Sequence, residues 1–421
     1  MEQAVAYSTL GLTVSLAVLR PQIGALRFTP GRAALVGVLA LFATRLLSID
    51  QLLDAARLQW RPLLTLTSIM VLTGVVQEVG ATDRLVAWIE QRARTRSAAS
   101  TFSIVFAISV ITPALLNNDA AILMLTPIVV ALTRRLYPRQ PAITIAFAFA
   151  VFLAPGVAPF IVSNPMNMIV AEFAGLDFNS YAIVMLPISL VGAAMTYAIL
   201  RWRYRDALRA ATVAHLPPTK IHRHPAERPA VLLMLAVFFA YPVAASLGVE
   251  IWSVAVAGAL ASLAICRIYR VAPLRKATSH VSLDILVFLW GIFLVVQGLR
   301  GVGVVDWLAS IYATQPPGSG AEMATVGVTS ALGSALIDNH PMSILNMLAI
   351  DGGHHPRLLL AALVGGDIGP RLLPIGSLAG LLWIDLLRRA GVELGVTRFV
   401  RIGTLVLLPT MVVSMVMLWL L

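Results

Sequence analysis

Leu116-Asn117-Asn118-Asp119-Ala120-Ala121 interrupts an apolar stretch running from 100 to 133, and Ile337-Asp338-Asn339-His340-Pro341 interrupts another from 323 to 350. The two strings lie 221 positions apart. Their flanks align at that offset without a gap: Ser109 on Ser330, Ala114 on Ala335, Leu115 on Leu336, Asn118 on Asn339. An amide or carboxylate in hydrocarbon is costly unless it is paired, hydrogen-bonded or wet. The same arrangement at matched places in two halves predicts one polar site assembled by an internal repeat, which is how many secondary transporters are built.

The surroundings fix the class. Of 421 residues, 59% are hydrophobic and 12% charged, and mean hydropathy is +0.87. A soluble protein carries about 25% charged residues. Apolar segments fall near 4–19, 33–48, 62–79, 100–133, 141–173, 180–200, 229–246, 251–266, 281–299, 323–350, 358–387 and 399–421. Many approach the roughly 20 residues a spanning helix needs, and none shows the ten-residue alternation of a membrane barrel. The expectation is an all-α polytopic membrane protein. The start Met1-Glu2 has no positive n-region, so the first helix reads as a span and not as a cleavable signal.

The two segments with polar centres read as re-entrant hairpins, 98–133 and 322–350. Segments 141–173 and 358–387 are too long for one span and are punctuated by Pro155-Gly156, Pro159 and Ser163-Asn164-Pro165, and by Gly365-Gly366, Gly369-Pro370 and Pro374-Ile375-Gly376-Ser377. They read as broken helices, since Pro and Gly interrupt the helical ladder and irregular backbone survives at membrane depth only inside protein or beside water. About ten spanning helices remain. The domain expectation is a first inverted repeat over 1–200, a basic cytoplasmic linker over 201–228 and a second inverted repeat over 229–421. Net charge is +11, and the charge sorts by loop. With both termini outside, the inner loops hold 25 of the 31 Lys and Arg, the outer loops five (Arg45, Arg57, Arg61, Arg300, Arg357), and Arg371 falls in the membrane. That asymmetry orients the chain, and it explains the basicity without nucleic acid.

Each polar residue has a structural and a functional reading. Asn117, Asn118 and Asp119 could cap the half-helix that follows; a cap uses one such residue and three are present, so a substrate site is read alongside it, at a helix N-terminus that offers free N–H groups. Asp338 and His340 fit either a pair that fixes the second tip or a proton-handling dyad. Asp367 and Arg371 flank Gly369-Pro370 and fit either an internal ion pair or a pair that protonation releases. Ser163, Asn164 and Asn167, with Ser377 as the second counterpart, offer neutral donors and acceptors suited to an uncharged hydroxylated solute. Asp119 is the carboxylate best placed to touch both solute and helix amides. The sole cysteine, Cys266, excludes a disulfide within the chain and any site built from several thiolates. His215, His222 and His224 in the linker read as solvated, not as a metal site. No nucleotide-binding, zinc-protease or hydrolase motif occurs, so no cofactor and no enzymatic activity is expected.

These strings resemble the arsenite/antimonite efflux permeases, the ArsB-type branch of the ion-transporter superfamily. The resemblance rests on Leu116–Ala121 running into Leu125-Thr126-Pro127, on Val162-Ser163-Asn164-Pro165-Met166-Asn167, on Asp338-Asn339-His340-Pro341-Met342, and most specifically on Gly369-Pro370-Arg371-Leu372-Leu373-Pro374-Ile375-Gly376-Ser377. It covers nearly the whole chain. It implies a prokaryotic inner-membrane protein that exports trivalent arsenic and antimony in exchange for protons, with room for a soluble arsenite-stimulated ATPase subunit as partner. The chain departs from the family in Asp338–His340, where Asn-Asn-Leu is common, in Arg371 for Lys, and in Asp367 for Cys. The resemblance and the lone cysteine agree that arsenite would be held as its neutral trihydroxide, by Asn117, Asn118, Ser163, Asn164, Asn339 and Ser377, with Asp119, Asp338, His340, Asp367 and Arg371 serving proton coupling. A Na⁺/H⁺ antiporter or carboxylate:cation symporter of the same superfamily, and a passive channel for small neutral solutes, stand as alternatives; Pro165 and the Ile375-Gly376-Ser377 string argue against paired sodium sites.

Overall fold

The computed structural model describes residues 2–23, 26–214, 224–271, 276, 278–350 and 356–421, without the side chains of residues 23, 26, 27 and 119. His215 and His222 of the linker lie outside the described residues. The chain is all-α, apart from a two-residue antiparallel pairing of Gln22–Ile23 with Leu26–Arg27. In chain order the helices are α1 (Glu2–Leu19), α2 (Pro30–Ala43), α3 (Ile49–Glu78), α4 (Ala81–Thr95), α5 (Ala98–Leu115), α6 (Asn118–Leu136), α7 (Pro141–Leu153), α8 (Pro165–Phe173), α9 (Phe178–Arg203), α10 (Arg205–Ala210), α11 (Glu227–Ser246), α12 (Ile251–Ile268), α13 (Leu283–Gln297), α14 (Val304–Tyr312), α15 (Gly320–Ile337), α16 (Asn339–Ile350), α17 (Pro356–Ile368), α18 (Leu378–Arg389) and α19 (Val396–Leu420).

Among the described residues seven helices are long and apolar enough to cross a membrane, or eight if the bent pair α3–α4 is one span. The count falls below ten for a physical reason. α2 has 14 residues and α7 has 13, about 20 Å of helix each, and each broken helix is made of short pieces. Conversely α5 and α15, the first arms of the two polar-centred segments, have 18 residues each and are long enough to span. α4 bends 58° from α3 and is amphipathic. Its buried Glu90 takes Arg94 at 2.6 Å and Arg135 at 3.4 Å, which holds it against the end of α6. Periodicity within an apparent charged loop was the signal for this helix.

Both polar strings sit where the chain reverses. Phe102 near the start of α5 and Tyr137 just beyond α6 rest on the same ring, Phe147 of α7, at centroid distances of 5.4 and 6.2 Å. The arms α5 and α6 are therefore antiparallel. In the second pair, Asn346 Nδ2 donates to Ser330 Oγ at 2.8 Å, eight residues to either side of Asp338. α7 leads through a 3₁₀ turn at Ile161–Ser163 into α8, and α17 leads through 3₁₀ turns at Gly369–Arg371 and Pro374–Gly376 into α18. The local backbone repeats: Phe160 and Leu373 precede the turns with φ/ψ of −131/154 and −133/143, and Asn164 and Ser377 follow with −145/132 and −154/149. α6 packs on α7 and α18, α15 on α17, and α19 on α9 and α17, while α2 packs on α13 and α1, and α3 on α12. A stacked aromatic layer, Phe152 on Trp383 at 4.7 Å with Phe399 beside both, joins the two broken helices.

Candidate functional site

The tip of the first hairpin is capped by one residue of its string. Asn117 is buried and its Oδ1 accepts from Ala120 N at 2.8 Å. That spends Asn117 on the first turn of α6. Asn118, the next residue, is free of that duty, and its buried Oδ1 has no hydrogen-bond partner. Asp119 lies in the same turn; its side chain is outside the described residues. The second tip divides the work in the same way. Asp338 Oδ1 accepts from His340 N at 2.9 Å and contacts His340 Nδ1 at 2.7 Å. Asn339 is again the residue left over, with a buried Oδ1 and no partner. Asp338 has φ of 77°, a left-handed conformation that costs a non-glycine residue about 1–3 kcal/mol and is held only where its surroundings enforce it.

The two broken helices meet around Asp367. Its Oδ2 accepts from Ala158 N at 2.9 Å and from Asn167 Nδ2 at 3.3 Å, and its Oδ1 from Asn164 Nδ2 at 2.8 Å. Asn167 also donates to Tyr181 Oη at 2.6 Å, and Tyr181 donates to Ala158 O at 3.0 Å. Asp367 thus belongs to α17 of the second half while all three donors come from the break in the first. Asn164 is doubly used, since its Oδ1 caps α8 through Met166 N at 3.1 Å. Ser377 caps α18 through Gly380 N at 2.9 Å.

Arg371 does not form the ion pair with Asp367 that one sequence reading allowed. Its Nη2 donates to Leu153 O at 2.7 Å, at the C-terminal end of α7, and its Nη1 to Thr410 Oγ1 at 3.1 Å on α19. A guanidinium satisfies a helix-end carbonyl and the negative pole behind it. Two glycines make room. Gly156, at φ 55°, would place a Cβ 2.9 Å from Arg371 Nη2, and a Cβ on Gly403 would fall 1.7 Å from the Arg371 carbonyl oxygen. No pattern in the sequence pointed to Thr410, Tyr181 or the Ala158 amide as partners.

Asn118, Asn339, Asn164, Asp367, Arg371 and Ser377 line one small cavity of about 50 Å³, walled by Ile122, Phe152, Pro155, Pro370 and Ala379. Six residues from both hairpin tips and both breaks therefore share one chamber. Ser163 is fully buried beside it with an unpartnered Oγ and is not in its wall. A second cavity of about 490 Å³ begins at Arg20, Thr29, Gln77, His280 and Asp284 and reaches Asn117 and His340. Ala379 lines both, so the larger one, the vestibule, adjoins the chamber. At its entrance Asp284 Oδ1 accepts from the Thr29 hydroxyl and, at 3.1 Å, from Gly31 N, tying α13 to α2.

Compared with known proteins, residues 25–355 match the model of the CitMHS family, described as citrate transporter. The chain belongs to that family. The arsenical pump membrane protein of Escherichia coli strain K12 is 32% identical over 316 residues, 72% of this chain and 73% of that protein. A second Escherichia coli protein of the same description is 27% identical over 401 residues, 91% and 92% of the two chains. Within the family the chain is therefore an ArsB-type ion transporter, and not an enzyme. The crystal structure of the Alcanivorax borkumensis YdaH transporter superposes with a TM-score of 0.60 at 17% identity, covering 99% of this chain and 96% of that one; this likeness concerns the fold.

Cys266 lines neither cavity. It is buried among Val75, Val76, Val79, Ala226 and Ala230. Cys266→Ser should therefore keep the transport rate of the parent, measured in membrane vesicles. A dead variant would mean that a thiol takes part.

Proposed function

We propose that this protein exports trivalent arsenic and antimony, as neutral trihydroxides, from the cell in exchange for protons. The observation that carries this reading is the pair of unpartnered carbonyl oxygens, Asn118 Oδ1 and Asn339 Oδ1, in the walls of one small chamber. A buried acceptor without a donor is costly, and a solute bearing three O–H groups supplies the donors. Size supports the same solute. A water needs about 10–15 Å³ of such space, so a chamber of about 50 Å³ takes roughly four heavy atoms, the arsenic and three oxygens of arsenite. Citrate, named by the family model, is several times larger. It would also need more cationic partners than Arg371, the one Lys or Arg in the chamber wall, whose donors already serve Leu153 and Thr410.

The two halves act as inverted repeats, with the linker cytoplasmic and both termini outside, in the orientation that the Lys/Arg distribution favours. The vestibule then opens to the cytoplasm through the Arg20 and His280 loops, as an exporter needs for loading. By fold analogy, the hairpins, broken helices and closing helices move as one body against the rest. Asp119 and Asp338 on the tips, His340 in the vestibule wall and Asp367 in the chamber wall are the titratable groups we assign to proton coupling, and Arg371 is the fixed cation. A soluble ATPase partner is compatible with this scheme and not required by it.

Everted vesicles test the proposal. Arsenite and antimonite should accumulate when a pH gradient is imposed and only equilibrate when it is collapsed. Accumulation of citrate or Na⁺ in place of the metalloids would overturn the substrate assignment, and gradient-independent equilibration would make the protein a channel.

A further inference from the structure

The second hairpin contains a polar seam that the first lacks. Tyr312 Oη donates to Asn346 Oδ1 at 2.5 Å, Asn346 Nδ2 donates to Ser330 Oγ at 2.8 Å, and Ser330 Oγ donates to Ala362 O at 2.6 Å. One helical turn further along α15 comes Ser334, fully buried with an unpartnered Oγ, and one turn beyond it Asp338, whose Oδ2 is also buried and unpartnered. From α16, Ser343 closes the other side. A Cβ placed on Gly366 of α17 would lie 3.4 Å from Ser343 Oγ and 3.7 Å from both Ser330 Oγ and Ser334 Oγ, so three hydroxyls ring one bare Cα.

The fold itself does not call for this. At the 221-residue offset the first hairpin has Pro113, Ile122 and Leu125 where the second has Ser334, Ser343 and Asn346, and it builds the same reversal with them. Small side chains do allow α15 to lie close on α17. That need is met by Gly327 and Gly365, whose approach leaves no room for a Cβ, and Asn346 is not small. The two ends of the seam also face different ways. α1 runs from Tyr7, which bonds Val302 O at 3.3 Å, to Arg20 at the vestibule entrance. The Val302–Tyr312 region therefore lies on the face opposite the vestibule, whereas His340 at the tip lines the vestibule.

We infer that this seam is the proton path, running inside the second hairpin from the face opposite the vestibule to the Asp338–His340 dyad. It rests on the proton-coupled reading above. Ser330 and Ser334 are one turn apart on α15, about 5–6 Å between Cβ atoms, and Asp338 follows at the end of that helix. The carrier along the seam is water held by these polar groups, since the Asn346 carboxamide orients a water and does not itself relay the proton. A proton arriving through the seam is taken up at Asp338 Oδ2. The carboxyl and the imidazole share a proton across the 2.7 Å contact of Oδ1 with Nδ1. Loss of one proton from His340 Nε2 to the vestibule then restores the charge of the pair. One proton enters, one leaves, and its direction is opposite to that of an exported solute. The ring of Phe288 on α13 packs edge-on against His340 at 5.4 Å, and Asp284 and His280 are the other titratable groups in the vestibule wall.

Two measurements test the path. In a Cys266→Ser background, Ser343→Cys should bind Ag⁺ supplied from the face opposite the vestibule, read as lost alkylation of the thiol after denaturation. It should do so roughly tenfold faster than Leu125→Cys, which stands in the first hairpin where the second has Asn346 and lines neither cavity, because silver follows water and not packed side chains. Gly366→Ala, whose Cβ makes ordinary contacts with the three hydroxyls and which favours helix, should fold, slow the Ag⁺ reaction and keep arsenite exchange between compartments of equal pH. Its gradient-driven accumulation should fall roughly tenfold. Equal Ag⁺ rates at Ser343→Cys and Leu125→Cys, or parental accumulation by Gly366→Ala, would overturn the path even if the parent couples arsenite to protons. Fast Ag⁺ reaction at Ser343→Cys in a parent that shows no coupling would leave a hydrated seam that carries no coupled proton, and would overturn the path together with the coupled reading.

Discussion

Asn118→Ala and Asn339→Ala should each weaken arsenite binding about five- to 150-fold, the equivalent of about 1–3 kcal/mol for removing one partner of a buried hydrogen bond. The argument depends on which residue does the capping. Asn117 holds the amide of Ala120 and Asp338 holds that of His340, so truncating the following asparagine leaves both reversals and both helix starts intact. Alanine is also the better helix former. The variants should therefore express, elute as monodisperse protein and melt with the parent while losing arsenite accumulation in vesicles. Asn117→Ala should differ, losing stability through the cap, at a cost of about 1 kcal/mol. The double Asn118→Ala, Asn339→Ala variant should lose transport beyond detection. Parental uptake by either single variant would mean that the chamber is not where the solute sits.

The same division of labour shows how far the sequence could be read. Amide and carboxyl groups in a run of apolar residues announce themselves because hydrocarbon penalises them, and Pro-Gly clusters announce helix breaks because they lack donors or tolerate open backbone. Asn118, Asn339, Asn164, Ser377, Asp367 and Arg371 were visible on those grounds, and all six line the chamber. Ser163 was visible on the same grounds and is buried outside its wall. The partners were not visible. Asp367 is held by two amide side chains 203 and 200 residues away and by a backbone N–H, and Arg371 turns to a carbonyl 218 residues away. A backbone group carries no sequence signature at all. The Asp367–Arg371 ion pair, one of two readings the sequence left open, does not form for that reason: proximity in sequence was legible, and the competing acceptor at the end of α7 was not. Seven or eight of the described helices are long and apolar enough to cross on those grounds alone, because apolar length does not tell a 14-residue helix beside an irregular connection from a full crossing.

Asp367→Ala should be the most destabilising single change at the site. It strips the common acceptor from the Ala158 amide, Asn164 and Asn167, and hydrogen bonds to a charged group contribute about 1.5–3 kcal/mol each. Because the three share one carboxylate they do not add, and a net loss on the order of 3 kcal/mol is expected. The loss falls on a contact that ties the break of the first half to α17 of the second. Arg371 meanwhile keeps Leu153 O and Thr410 but loses the nearby negative charge. A thermal unfolding scan in detergent should show the apparent Tm lowered by roughly 5 °C or more. Asp367→Asn should fall between Ala and the parent, since its carbonyl oxygen still accepts while its NH₂ group meets donors. Arg371→Met combined with Asp367→Ala should recover part of the loss, because no lone charge then remains beside the chamber. If Asp367→Ala melts with the parent, Asp367 is not a stabilising tie between the halves, and its three hydrogen bonds are incidental to how the breaks are held.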